Sequence, residues 1–158
     1  MNSNDLIILN FEEIRRRSIK VWKAIPDHML DWKPDENALT CADMIRHLLE
    51  GEFLYHQILL NRGSGALSNS TNPFEKKEFI SVDDEIAFAY PYRLEFLNYI
   101  KSLTMYDLEN VKIDRSDVGY VRTLGDMLLR IAYHESVHTG QLLDYMRTIG
   151  IDRPQIWD

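Results

Sequence analysis

The sequence predicts an all-α fold, a four-helix bundle with a long crossover loop between helices 2 and 3. Three observations carry this expectation. Apolar residues recur at three- and four-residue spacing in four segments, each of about twenty residues, the length of bundle helices. Three of these segments open with Thr or Ser followed three residues later by Asp, the pattern in which a hydroxyl caps a helix N-terminus. Between the second and third lies "RGSGALSNSTNP", a Gly/Ser/Asn-rich stretch without periodicity. A loop of that length can cross the whole bundle, which would make the two helices it joins parallel and depart from simple up-down-up-down order.

The first segment, roughly 5–25, carries Ile7, Phe11, Ile14, Val21, Trp22 and Ile25 on one face, and Pro26 ends it. The second begins at "TCAD", with Thr40 and Asp43 as the cap pair, and runs to about residue 61. The third starts at Ser81 with Asp84 as its reciprocal and runs to about residue 103; Pro91 inside it predicts a kink or a late start. Residues 107–122, with β-branched side chains and Gly119, read as irregular or briefly extended. The fourth starts at "TLGD" and continues to Gly150, a residue suited to end a helix.

Length and composition fit one domain over residues 1–158: hydrophobic residues make up 45% and charged residues 27%, which excludes a disordered chain. The formal net charge of −7 disfavours nucleic acid and anionic membrane as partners, since both are polyanions. Cys41 stands alone, so no internal disulfide forms, and a small buried side chain is the preferred reading over a nucleophile. The N-terminal "MNSNDLIILNFEEIRRR" lacks the basic start and cleavage site of a signal peptide, and no apolar run reaches the ~20 residues of a membrane span, so a cytoplasmic protein is expected.

The chemistry concentrates in "RIAYHESVHTGQLL", where His134 and His138 stand four apart. At about 100° per residue, Met127, Ile131, His134, His138, Leu142, Tyr145 and Ile149 fall in one arc, which reads as the core-facing stripe. The two imidazoles, about 40° and one turn apart, can converge on one metal ion. The alternative is a pair of core histidines hydrogen-bonded to neighbours. A third ligand comes from His28, His47 or His56. His28 lies in a loop; His47 shares a face with Met44, Gly51, Leu54, Tyr55 and Ile58, and His56 projects about 180° away from it. His47 is therefore the third ligand expected, and His56, on the other side of the helix, is read as no ligand. His56 keeps company with Leu49, Phe53 and Leu60, which read as an outer patch for a partner copy. Three neutral imidazoles without thiolate suit zinc, nickel or iron and leave coordination positions open.

"HESVH" also matches the H-E-x-x-H of zinc peptidases. The stretch after His138, "TGQLLDYMRTIGIDRPQIWD", holds no Glu or His, and Asp144 would point about 120° away on a continuing helix. No edge strand offers itself to a peptide. Glu135 sits at the border of the inward arc and is expected to hold a ligand's second ring nitrogen rather than act as a peptidase base.

These motifs resemble the DinB-like (YfiT-like) family of metal-binding four-helix bundles. "LDWKPDENALTCADMIRHL" follows its Trp-x-Pro, capping hydroxyl and His seven beyond the cap, on Trp32, Pro34, Thr40 and His47. "YHESVHTGQL" follows its second element on His134, His138, Gly140 and Gln141. Leu39, Cys41 and Thr139 depart from the residues common there. The resemblance implies a triad of His47, His134 and His138 holding a divalent metal, and a homodimer. It also implies activity of the kind known in the family, where thiol S-transferases use bacillithiol, mycothiol or glutathione and one member is a mycothiol-dependent isomerase. The expected function is thus a divalent-metal-dependent transferase joining a small-molecule thiol to an electrophilic substrate. Its alternatives are a non-catalytic metal-binding or stress-response bundle and a metal-dependent hydrolase.

Overall fold

Every cap that the sequence predicts sits at a helix start. The computed structural model describes residues 1–65, 67 and 71–158; residues 66 and 68–70 of the expected crossover loop lie outside the described residues. Helix α1 (Ser3–Ala24) follows Asn2, whose side chain accepts from the Asp5 N–H. Helices α2 (Cys41–Leu60) and α3 (Val82–Ser102) follow Thr40 and Ser81. After a short helix α4 (Met105–Asn110) and a hairpin of β1 (Lys112–Arg115) and β2 (Tyr120–Thr123), Thr123 caps α5 (Leu124–Thr148). In α2, α3 and α5 alike, the capping hydroxyl accepts from the N–H of the Asp three residues on. Pro91 neither delays nor splits α3: it lies on the solvent side, where the carbonyl it leaves without a donor can be hydrated. The stretch read as irregular, residues 107–122, takes in the end of α4 and nearly all of the hairpin, whose turn closes through Gly119 at φ +91°, a left-handed conformation that glycine adopts without strain.

Contacts along the helices give their directions. Arg46 meets Glu85, Phe53 meets Tyr92 and His56 meets Tyr99, so α2 and α3 are parallel, as the crossover loop implies. Arg15 meets Glu135 and Ser18 meets Thr139, so α1 and α5 are parallel too. Asn4 reaches Leu103 while Lys23 pairs with Asp83, which makes α1 antiparallel to α3. Tyr145 donates to the Leu39 carbonyl while His134 meets the Tyr55 ring edge-on, so α2 and α5 are antiparallel. In chain order the bundle runs up, down, down, up, with α1, α5, α2 and α3 following one another around it. The crossover is fastened to the bundle by Arg46, which grips the fully buried Glu85 with two hydrogen bonds and the Lys77 carbonyl with a third at 2.7 Å.

The interior holds two apolar clusters, one around Trp22, Ile45, Leu48 and Met146, the other around Phe11, Phe96, Ile100 and Met127. Between them each long helix contributes one buried charge: Arg15, Glu52, Arg93 and Glu135. Arg15 donates to both oxygens of Glu135 at 2.8 and 2.9 Å and to Glu52 at 3.2 Å. Arg93 donates to Glu52 at 2.6 Å and to the Phe11 carbonyl at 2.9 Å. Two positive and two negative groups leave the layer neutral, the condition under which buried charges are tolerated.

This layer corrects three expectations. The centre of the α5 core face is Ile131, Glu135, Thr139 and Leu142; His134 and His138 stand beside it, partly exposed. On α2 the inward line is Ile45, Leu48, Glu52, His56 and Leu59, and His47 is exposed at its edge. The expected outer patch is largely internal: Leu49 is buried, Phe53 packs against Phe74 and Tyr92, and of the three only Leu60 is exposed. The apolar stripe misleads on each helix because charges occupy its middle. No helix among the described residues is long and apolar enough to cross a membrane.

Candidate metal centre

Helices α2 and α5, neighbours running in opposite directions, bring His47 opposite His134 and His138. One nitrogen of each ring lies within 4.8 Å of the others, and the ring centroids are 4.6 to 5.0 Å apart. The three residues expected from the sequence do converge, although on a groove at the bundle surface rather than in its core. His28 is exposed in the turn after α1, and His56 is buried against Phe96 and Tyr99.

The donor set suits a cation. His47 Nε2 and His134 Nε2 face each other at 3.1 Å. With both rings in the Nδ1–H form, that places lone pair against lone pair, a repulsion that a cation between them would convert into attraction. His138 Nδ1 lies 2.6 Å from Gln141 Oε1, an acceptor that selects the Nδ1–H tautomer and leaves Nε2 free to ligate. Burial, then the neighbouring His138 and His47, push the His134 pKa down to about 4. Burial, then His138, also hold His47 below the ordinary histidine value. Both shifts favour the neutral imidazole, the form that binds metal. A single divalent ion therefore fits these three residues.

Glu135 departs from its expected place. Its carboxylate is spent on Arg15, and none of its hydrogen bonds among the described residues reaches a histidine ring. Burial alone would raise its pKa, but the charge and hydrogen bonds of Arg15, with Arg93 beyond, hold it below the ordinary glutamate range. The orienting contact that the sequence suggested for Glu135 comes instead from Gln141 to His138. An H-E-x-x-H base must reach the metal's open side, and this carboxylate is buried and turned to Arg15 instead.

A groove of about 250 Å³ opens beside the rings. Its α2 wall is His47, Glu50, Gly51, Leu54, Tyr55 and Ile58; His134 and Arg115 contribute from α5 and β1. A Cβ at Gly51 would stand 3.7 Å from His134 Cε1, an ordinary van der Waals contact. Glu50 accepts from Asn72 Nδ2 at 2.5 Å. Neither Glu50 nor Arg115 carries a motif, and sequence reasoning missed both. Glu50 sits one turn beyond His47, a spacing that could have singled it out; Arg115 joins the groove only through tertiary contact. A larger cavity of about 520 Å³ lies under residues 150–157 and contains none of the histidines.

A sequence profile of the DinB superfamily matches residues 10–142, most of the chain and both histidine segments. The chain belongs to the DinB superfamily. Three solved structures share the DinB fold. A DinB-like protein of Bacillus subtilis, YjoA, is 20% identical, with 96% of each chain covered and a TM-score of 0.72. A DinB-like protein of Bacillus cereus is 14% identical, with 96% of this chain and 95% of the other covered and a TM-score of 0.74. YfiT of Bacillus subtilis, described as a probable metal-dependent hydrolase with an unusual four-helix bundle topology, is 14% identical, covers 96% of this chain and 91% of its own, and has a TM-score of 0.73. At these identities the likeness shows the DinB fold alone. No protein with a curated description matches the chain.

Proposed function

We propose that this DinB protein is a divalent-metal-dependent enzyme that activates a low-molecular-weight thiol and transfers it to an electrophilic small molecule. The observation that carries this reading is the convergence of three imidazoles, two of which line an open groove. His47, His134 and His138 would hold the ion; zinc, nickel and iron all accept three nitrogen ligands. Bound there with open positions, such an ion lowers the pKa of a thiol or water placed on it. The chain's own residues do the rest. Gln141 fixes the His138 tautomer, the walls from Gly51 to Ile58 exclude water from one side of the substrate, and burial holds the His134 and His47 rings toward the neutral form. A thiol on a divalent ion needs no protein base, and Glu135, the base that an H-E-x-x-H peptidase requires, is committed to Arg15.

A second reading, hydrolysis of a small substrate, is favoured by the Glu50 carboxylate on the groove wall, one turn from His47 and in place to accept a proton. It also agrees with the description of YfiT. Pairing with a second copy rests on the family resemblance, and the mass in solution by light scattering tests it.

The deciding experiment loads purified protein with zinc, nickel or iron and measures metal content alongside two reactions. One is conjugation of bacillithiol, glutathione or cysteine to monochlorobimane; the other is hydrolysis of a p-nitrophenyl ester. Metal-dependent conjugation lost in His47→Ala, with ester hydrolysis at the background rate, supports the transferase. Metal-dependent hydrolysis lost in both His47→Ala and Glu50→Gln, with conjugation at background, overturns it in favour of the hydrolase. Stoichiometric metal with neither reaction overturns both in favour of a non-catalytic metal-binding protein.

A further inference from the structure

The groove beside the histidines ends in a cation that the proposed chemistry does not use. Its long wall follows α2 from His47 to Ile58, about three helical turns. The hairpin is tied to the far end of that wall: Asp114 N–H donates to the Arg62 carbonyl at 2.9 Å, and Gly63 bridges to Asp114. Arg115, the next residue, thereby reaches the groove at the Ile58 end, with Leu54 and Tyr55 forming apolar wall between it and the rings.

The Arg115 guanidinium is held in place but left short of partners. Its side chain is only 14% exposed, and its one described ion pair is to Asp117, at 3.5 Å from Nε, too long for a good hydrogen bond. Asp117 is itself engaged by the Ser64 hydroxyl at 2.5 Å. Nε is buried without a hydrogen-bond partner among the described residues, and no described hydrogen bond engages the terminal nitrogens. Nε is thus the one Arg115 nitrogen among the buried atoms without a partner, which leaves the terminal nitrogens to the solvent side. The local charge is positive as well. Arg115, Arg122 and Arg130 all stand around the Tyr120 ring, at 5.8, 5.5 and 4.6 Å from its centre, and only Asp117 and Asp126 pair with them among the described residues. In a chain of net charge −7, this is a place where an anion is attracted rather than repelled.

We propose that the groove selects a small molecule bearing a carboxylate, which Arg115 binds through its terminal nitrogens while an apolar body lies along Leu54, Tyr55 and Ile58 and the reactive end meets the histidines. Arg115 is then a specificity-determining residue. A guanidinium fork matches a carboxylate in two parallel hydrogen bonds, and the one arginine on the groove wall neutralises a monoanion where a phosphoryl dianion would keep a net charge. The placement of the reactive end rests on the proposed function; the carboxylate site does not depend on metal or on catalysis.

The test uses metal-free protein and probes without a thiol: 4-phenylbutyrate, its amide 4-phenylbutyramide, and phenethyl phosphate, with binding followed by chemical shifts in 1H–15N spectra. The acid should bind wild type roughly tenfold or more tightly than the amide, as expected of a charge-assisted hydrogen-bonded pair, with shifts at Arg115, Leu54 and Ile58. Arg115→Gln should abolish that preference and Arg115→Lys should keep part of it. Equal binding of acid and amide by wild type overturns the proposal whatever becomes of the variants, and so does a preference that survives Arg115→Gln. Tighter binding of phenethyl phosphate than of the acid overturns the carboxylate assignment. Failure of the conjugation and ester assays would leave all of these outcomes readable, so the two proposals fail separately.

Discussion

Replacing Glu135 by Leu removes one member of the neutral charge layer without changing side-chain size greatly. Arg15 loses hydrogen bonds of 2.8 and 2.9 Å and keeps only the 3.2 Å contact to Glu52, which Arg93 already shares at 2.6 Å. The layer then carries one uncompensated positive charge between two apolar clusters. Breaking a buried ion pair from one side costs about 3–5 kcal/mol. In a chain of this size each kcal/mol shifts the melting temperature by about 2–4 °C, so Glu135→Leu should melt roughly 6–20 °C below wild type by circular dichroism. The double variant Arg15→Met, Glu135→Leu restores neutrality, because Glu52 and Arg93 remain paired, and it should recover most of the loss. The pH dependence has a defined sign. The folded carboxyl has a lowered pKa, so its contribution is present above the ordinary glutamate value of 4.5 and is lost as pH falls through the folded value. Glu135→Leu should therefore flatten the acid limb of the stability curve below about pH 4.5. A single variant melting within about 2 °C of wild type, less than 1 kcal/mol, or a double variant no more stable than the single, would refute the assignment of Glu135 to the structure rather than to the metal.

His56 is buried with its Nε2 unpartnered among the described residues, and burial, opposed by the field of Glu95, holds its pKa below the ordinary histidine value of 6.5. The unfolded chain thus takes up the proton first, and stability in chelator-treated protein should fall as pH drops below 6.5; urea denaturation of His56→Leu should show a shallower slope, and an unchanged slope would refute this. The Cys41 thiol, fully buried, has its pKa raised to about 11 by that burial. Iodoacetamide at pH 8 should label native protein roughly 100-fold or more slowly than urea-unfolded protein, and comparable rates would show an accessible thiol. Gly51→Ala places a Cβ at ordinary contact distance, 3.7 Å, from His134 Cε1. Calorimetry should find it more stable by about 0.5–1 kcal/mol through helix propensity, with metal content unchanged; a lower melting temperature would mean that the ring needs the space.

The helix starts at Thr40, Ser81 and Thr123 were legible in the sequence because a capping hydroxyl acts on backbone three residues away, inside the range that sequence spacing describes. The parallel course of α2 and α3 followed from the long connection between them, and the convergence of His134 and His138 from a separation of one helical turn. α4 was missed although Thr104 and Asp107 form the same kind of box, because the segment is too short for its periodicity to stand out. What only the tertiary structure decided is which way each helix faces. Hydrophobic periodicity finds an apolar stripe, but the inward centres of all four long helices are charged, at Arg15, Glu52, Arg93 and Glu135, and each is tolerated only because its partner arrives from another helix. A neutral layer assembled from four separate helices leaves no mark on any one of them. For the same reason, packing alone turned Glu135 away from the histidines, set His56 inside and His47 at the groove, and delivered Arg115 from the hairpin to the far end of it.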